Sequence, residues 1–140
     1  MSRFSQHISV DEYKCKCCGS LPPSWGDDIP EAHKNLFAAF EDIRYEWGKP
    51  ILINSGYRCM NHNEHVGGEP CSAHLFGLAL DMTAQDEADN DVLWRIILQK
   101  HPELRLGRYT KQHNFIHADN AYLIYPTASA SWRTGARWTG

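Results

Sequence analysis

The run Ser72-Ala73-His74-Leu75-Phe76-Gly77-Leu78-Ala79-Leu80-Asp81 decides how this 140-residue chain is read. It sets a histidine and an aspartate seven residues apart, with Gly77 between them to let the backbone turn. Across such a bend an imidazole and a carboxylate can face one another, and both are good zinc donors. A catalytic zinc takes three protein ligands and water, so a third donor is expected on a neighbouring element. Phe115-Ile116-His117-Ala118-Asp119 supplies one. On a strand, His117 and Asp119 point to one face while Ile116 and Ala118 point to the core. Spacing alone leaves a plainer alternative open, in which these are exposed polar side chains and one hydrogen-bonded core histidine.

Outward from this run the chain alternates helical and extended signals. From about Pro30 to Trp47, Leu36, Phe37, Phe40, Ile43 and Trp47 recur at helical spacing. Asp27 and Asp28 stand where an N-cap belongs, and Gly48 to Pro50 closes the segment. Ile51-Leu52-Ile53 reads as a short buried strand. The polar, glycine-bearing stretch from Asn54 to Cys71 reads as a loop whose length points to function. A second helix is expected from near Asn90 to His101, with Val92, Leu93, Ile96 and Ile97 inward. Leu104–Tyr109, Asn114–Asp119 and Ala121–Tyr125 are expected as strands. The fold class is α+β, a small antiparallel sheet with flanking helices.

Bulk properties narrow the function classes. Apolar residues make up 42% and charged residues 22%, as in a soluble globular domain. Residues 1–140 are read as one domain, with 1–25 a cysteine-containing arm and 126–140 a C-terminal tail. The net charge of −3 gives no support to a nucleic-acid partner. No apolar run is long enough to span a bilayer, and the start, MSRFSQHISVDEY, lacks a secretory pattern. The chain is therefore expected to be a monomer made in the cytoplasm without a signal peptide.

The five cysteines, at 15, 17, 18, 59 and 71, are an odd number. Cys15-Lys16-Cys17-Cys18-Gly19 looks like half of a structural metal knot, and Cys59-x-x-His62 has ligand-like spacing. The alternatives are reduced thiols, the default without a signal peptide, and a disulfide such as Cys59–Cys71 across the loop. All three stay open.

A set of ordered motifs adds to this. Ser55-Gly56-Tyr57-Arg58, Asn63, Gly67-Gly68, Ser72-x-His74-x-x-Gly77-x-Ala79-x-Asp81 and Gly107-x-Tyr109 lead to Phe115-x-His117-x-Asp119. Over residues 4 to 125 the chain resembles the zinc D-Ala-D-Ala carboxypeptidase-like peptidases of peptidoglycan. That superfamily also holds phage L-alanyl-D-glutamate endolysins, murein DD-endopeptidases and the hedgehog signalling domain. The resemblance implies one catalytic zinc on the sheet face, with His74, Asp81 and His117 as its ligands. It implies that Arg58 reaches into the site to polarise the scissile carbonyl or hold a substrate carboxylate. Ser72 matches a substrate-bonding position, although its hydroxyl can equally cap local backbone. Tyr57 and Tyr109 can border the cleft, Tyr109 as a substrate-binding candidate, although aromatic packing is the role first expected of both.

The implied function is hydrolysis of a bond in the peptidoglycan stem peptide, as an endopeptidase or a D-Ala-D-Ala carboxypeptidase. The phage-type branch would act on the wall after release or as part of a virion. One position departs from the pattern: Asn114 stands where many members have an acid three residues before the last histidine. Asp119 is then the preferred general base, with orientation of His117 as its other role and His113 as a weaker base. A non-catalytic zinc-scaffold virion or binding protein is the competing expectation. The tail around Trp132, Arg133, Arg137 and Trp138 is too short for a wall-binding module and is expected to pack over the domain.

Overall fold

The computed structural model describes residues 2–124 and 132–140. Its elements are β1 (Arg3–Ser5), β2 (Ile8–Ser9), α1 (Val10–Tyr13), α2 (Glu31–Trp47), β3 (Ile51–Ser55), α3 (Met60–His65), β4 (Ala79–Ala84), α4 (Asn90–Lys100), β5 (Arg105–Tyr109), β6 (Phe115–Asp119) and β7 (Arg137–Thr139). A five-stranded sheet runs β3-β4-β6-β5-β7, and β1 pairs with β2 apart from it. Pairing in the large sheet is antiparallel except at its edge, where β5 and β7 run parallel. The α+β expectation holds, with one parallel pair added to the antiparallel sheet.

The sheet has two faces because its strands alternate. Leu80 and Met82 of β4, Ile116 and Ala118 of β6, and Leu106 of β5 are all but fully buried. They share one apolar cluster with Leu36, Phe40 and Ile43 of α2 and Leu93 and Ile97 of α4. Removing a leucine side chain from such a core costs about 2 to 5 kcal/mol. Asp81, His117 and Asp119 take the intervening positions and so face the other way.

Register lines these residues up. Asp81 pairs with Ser55 on one side and His117 on the other; His117 pairs with Gly107, and Gly107 with Trp138. One row across the sheet thus carries Ser55, Asp81, His117, Gly107 and Trp138. In the next row Asp119 pairs with Arg105.

The N-terminal arm is part of the packing. Ile8, Tyr13 and Cys15 are fully buried. The Tyr13 hydroxyl donates to the Gly77 carbonyl at 2.6 Å, pinning the bend between His74 and Asp81. Gly77 sits at φ +73°, and a Cβ there would meet Tyr13 Oη and Pro22 Cγ at 2.3 and 2.6 Å, so no larger residue fits this turn.

Several expectations are corrected. The cap of α2 is Pro30 with no side-chain bond, not Asp27 or Asp28: its carbonyl already accepts from His33 N–H. The stretch from 54 to 71 is not all loop, because β3 runs to Ser55 and Cys59 Sγ caps α3 by accepting from His62 N–H. Leu52, on an edge strand, is half exposed, and Val92 points outward while Leu93 and Ile97 face in. Ala121–Ile124 forms a 3-10 turn instead of a strand, and Tyr125 lies outside the described residues. Asp119 Oδ1 takes the Ala121 N–H at 3.0 Å, which bends the chain away as soon as β6 ends.

Candidate metal centre

Three short elements bring the donors together. His74 lies on the 3-10 turn Ala73–Phe76, which Ser72 starts by accepting from His74 N–H at 3.1 Å. Gly77 ends it, and the chain enters β4 carrying Asp81. His117 stands beside Asp81 on β6. The ligand atoms of His74, Asp81 and His117 all lie within 4.8 Å of one another, and all three residues are buried.

The tautomers can be worked out from the partners. His74 Nδ1 lies 2.6 Å from the Gly56 carbonyl, which can only accept, so the ring's hydrogen is on Nδ1. His74 Nε2 is then a bare lone pair, 3.1 Å from Asp81 Oδ1 yet without a hydrogen-bond partner. The short contact is a meeting of two acceptors. His117 Nε2 lies 2.6 Å from Asp119 Oδ2 and donates to it. In the neutral ring this leaves His117 Nδ1 bare as well, 3.0 Å from the same Asp81 Oδ1. Two lone pairs and a carboxylate oxygen converge on one point, an arrangement that a cation completes. The residues fit a zinc ion.

Electrostatics agree with this geometry. Burial pushes His74 down and keeps it neutral. Burial alone would raise the Asp81 carboxyl, but the two imidazoles overcome it and hold it well below the usual carboxylate range. Burial would also lower His117, yet its bonds to Asp119 and Asp81 lift it to about 9. In the metal-free protein a proton on His117 thus stands in for the ion.

A second layer of bonds holds the donors. Arg58 donates from Nη2 to Asp81 Oδ2 at 2.9 Å, from Nη1 to Asn63 Oδ1 and from Nε to Ser55 Oγ, each at 3.0 Å. Three of its five N–H donors are spent on these partners, and the side chain still lines the cleft where the sequence placed it to meet a substrate carbonyl or carboxylate. Asp119 is fully buried; Oδ1 accepts from Arg105 Nε at 2.9 Å and from Ala121 N–H, and Oδ2 accepts from His117. It lies behind the ring, on the Nε2 side, while the donor nitrogen is Nδ1. That placement suits orientation of His117, and a proton-acceptor role would have to use the remaining lone pair of Oδ2. Asn114, at the departing position, is tied up too: its Oδ1 and carbonyl accept from Asn90 Nδ2 at 3.0 and 3.2 Å.

The donors open into a cleft of about 750 Å³ whose lining includes Arg58, Ser72, Tyr109 and His113. Trp138, on β7, forms part of its wall, with its ring 5.3 Å from that of His117 and Nε1 donating to the Tyr109 hydroxyl at 2.7 Å. Sequence reasoning placed Trp138 in a packed tail and missed this. The available signal was Gly107: a Cβ there would sit 2.4 Å from the indole nitrogen, so only glycine lets Trp138 cross the sheet toward His117. Arg105 was also missed, since its link to Asp119 depends on strand register.

A family model described as Peptidase M15 matches residues 6–119. The chain belongs to the peptidase M15 family. No curated protein matches it. Family M15 peptidases are zinc-dependent, and this M15 chain carries a His, Asp, His group with the chemistry to hold the ion. β7 and Trp138 lie beyond the matched residues. No helix of the described residues is long and apolar enough to cross a membrane.

Proposed function

We propose that the chain hydrolyses a peptide bond in the stem peptide of bacterial peptidoglycan, with one catalytic zinc held by His74, Asp81 and His117. The observation that carries this reading is the convergence of His74 Nε2 and His117 Nδ1 on Asp81 Oδ1, at 3.1 and 3.0 Å, in the cleft. When bound there, zinc supplies an activated water and polarises the substrate carbonyl. Arg58 holds Asp81 through the oxygen that faces away from the imidazoles, and Asp119 holds His117 in the Nε2–H tautomer. Ser72, Tyr109 and Trp138 line the cleft and contact the substrate chain. Asp119, and among the exposed cleft residues Glu69 and His113, are the groups that would take the proton from water. If the resemblance extends to the phage-type branch, the chain would act on the wall after release from the producing cell, or from a virion.

Digestion of purified peptidoglycan with the zinc-loaded chain, read by mass spectrometry of the muropeptides, tests this and identifies the bond. Cut products with wild type and none with His74→Ala are expected. Zinc binding without any cut muropeptide would favour a second reading, a zinc scaffold without turnover. The committed oxygens of Asp119 and the amide at Asn114 are what speak for that alternative.

A further inference from the structure

Outside the cleft, a second group of donors converges. The sulfurs of Cys15, Cys18 and Cys59 lie within 4.8 Å of one another, and all three thiols are free. Cys15 is fully buried, Cys59 half-buried and Cys18 exposed. The segment Cys15–Gly19 forms a tight loop closed by Gly19 N–H to the Cys15 carbonyl at 2.8 Å, with Gly19 at φ +71°. That loop holds Cys18 beside Cys15 Sγ. Cys59 N–H, from across the chain, reaches the same sulfur at 3.4 Å, and His62 N–H reaches Cys59 Sγ at 3.4 Å. A neutral thiol is a poor acceptor, so a backbone N–H on each of two neighbouring sulfurs suits thiolates.

Several thiolates this close repel one another unless a cation lies between them. Lys16, the nearest candidate in sequence, is spent elsewhere, donating to the carbonyls of Asp11 and Glu12 at 2.9 and 2.8 Å. A tetrahedral ion with sulfur ligands at about 2.3 Å spaces them roughly 3.8 Å apart, so binding requires a contraction of no more than about 1 Å. We infer that Cys15, Cys18 and Cys59 form a second metal site, separate from the catalytic one, that takes a soft divalent cation such as zinc.

The site clamps the N-terminal arm to the segment that serves the catalytic centre. Cys59 directly follows Arg58, which holds Asp81, and the same segment supplies the Gly56 carbonyl that fixes His74. Tyr57 N–H already donates to the Tyr13 carbonyl at 2.7 Å, and the ion would add a sulfur bridge beside that bond. Water completes its coordination on the exposed side at Cys18.

The test uses the full chain, purified under reducing conditions and loaded with zinc or cobalt(II). Two ions per chain are expected, with a near-ultraviolet thiolate-to-cobalt charge-transfer band. Cys59→Ser and Cys18→Ser should each lose one ion and the band, while His74→Ala should lose one ion and keep the band. Absence of the band in wild type, unchanged stoichiometry in Cys59→Ser, or a disulfide among these cysteines would overturn the site. If the variants do not fold, alkylation of wild type decides: zinc should protect Cys18 and Cys59, the two accessible members, and leave Cys17 and Cys71 reactive. Equal labelling of these four with and without zinc would overturn it. The His74→Ala arm reports on the catalytic site alone, so the two readings fail separately.

Discussion

His117 is bonded at both ring nitrogens, and each bond sets a separable expectation. On the Nε2 side, Asp119 fixes the tautomer that leaves Nδ1 open for the ion. Asp119→Asn should lower zinc affinity about 10- to 100-fold. Hydrolysis should then return in part at high zinc, which loss of a general base would not allow; a zinc titration of activity in the variant reads the difference. On the Nδ1 side, the metal-free protein holds a proton, because His117 is lifted to about 9 by Asp119 and Asp81 against the effect of burial. Folding raises this pKa, so its contribution to the metal-free fold is complete below the unfolded value near 6.5 and is lost as pH rises through about 9. Zinc must displace that proton, so its affinity should climb with pH over the same window. Titrations in buffers of different ionisation enthalpy should show close to one proton released per catalytic zinc at neutral pH.

At the scale of elements, β7 helps to shape the cleft. Trp138 is partly buried between the His117 ring and Arg105, whose guanidinium carbon lies 5.0 Å from the centre of the indole. Trp138→Ala should cost about 1 to 3 kcal/mol in denaturant unfolding and raise KM for muropeptide more than it lowers kcat. Trp138→Phe keeps the ring and loses the bond to Tyr109, so it should lose only about 1 kcal/mol. Equal effects from the two variants would mean that the hydrogen bond, and not the ring, matters. Neither β7 nor its neighbour Ala121–Ile124 was legible in sequence. Three residues, Arg137-Trp138-Thr139, are too few to show a period, and the turn after Asp119 depends on a carboxylate already recruited by Arg105 and His117. The helices α2 and α4 were legible because their apolar spacing is local. The cap of α2 was not, since a proline carbonyl leaves no side-chain signal.

For the whole molecule, the donors were readable because His74 and Asp81 share one local motif. Which nitrogen donates, and what holds Arg58, Asp119 and Trp138, depends on register between strands far apart in sequence. An ion held by these donors would therefore tie β4, β6 and the turn at Ala73–Phe76 into one unit that exists only in the folded chain. An ion bound to the native state alone adds RT ln(1 + [L]/Kd), about 2.7 kcal/mol at a hundredfold excess over Kd. For a chain of this length that is a rise in Tm of roughly 9 °C. The sulfur cluster contributes its own increment, so the catalytic term is the difference between wild type and His74→Ala under matched zinc. Wild type should gain several degrees more from zinc than the variant does, and EDTA should erase the gap. Equal gains in both would mean that the stabilising ion binds elsewhere, because His74→Ala removes one of three donors and leaves the sulfurs untouched.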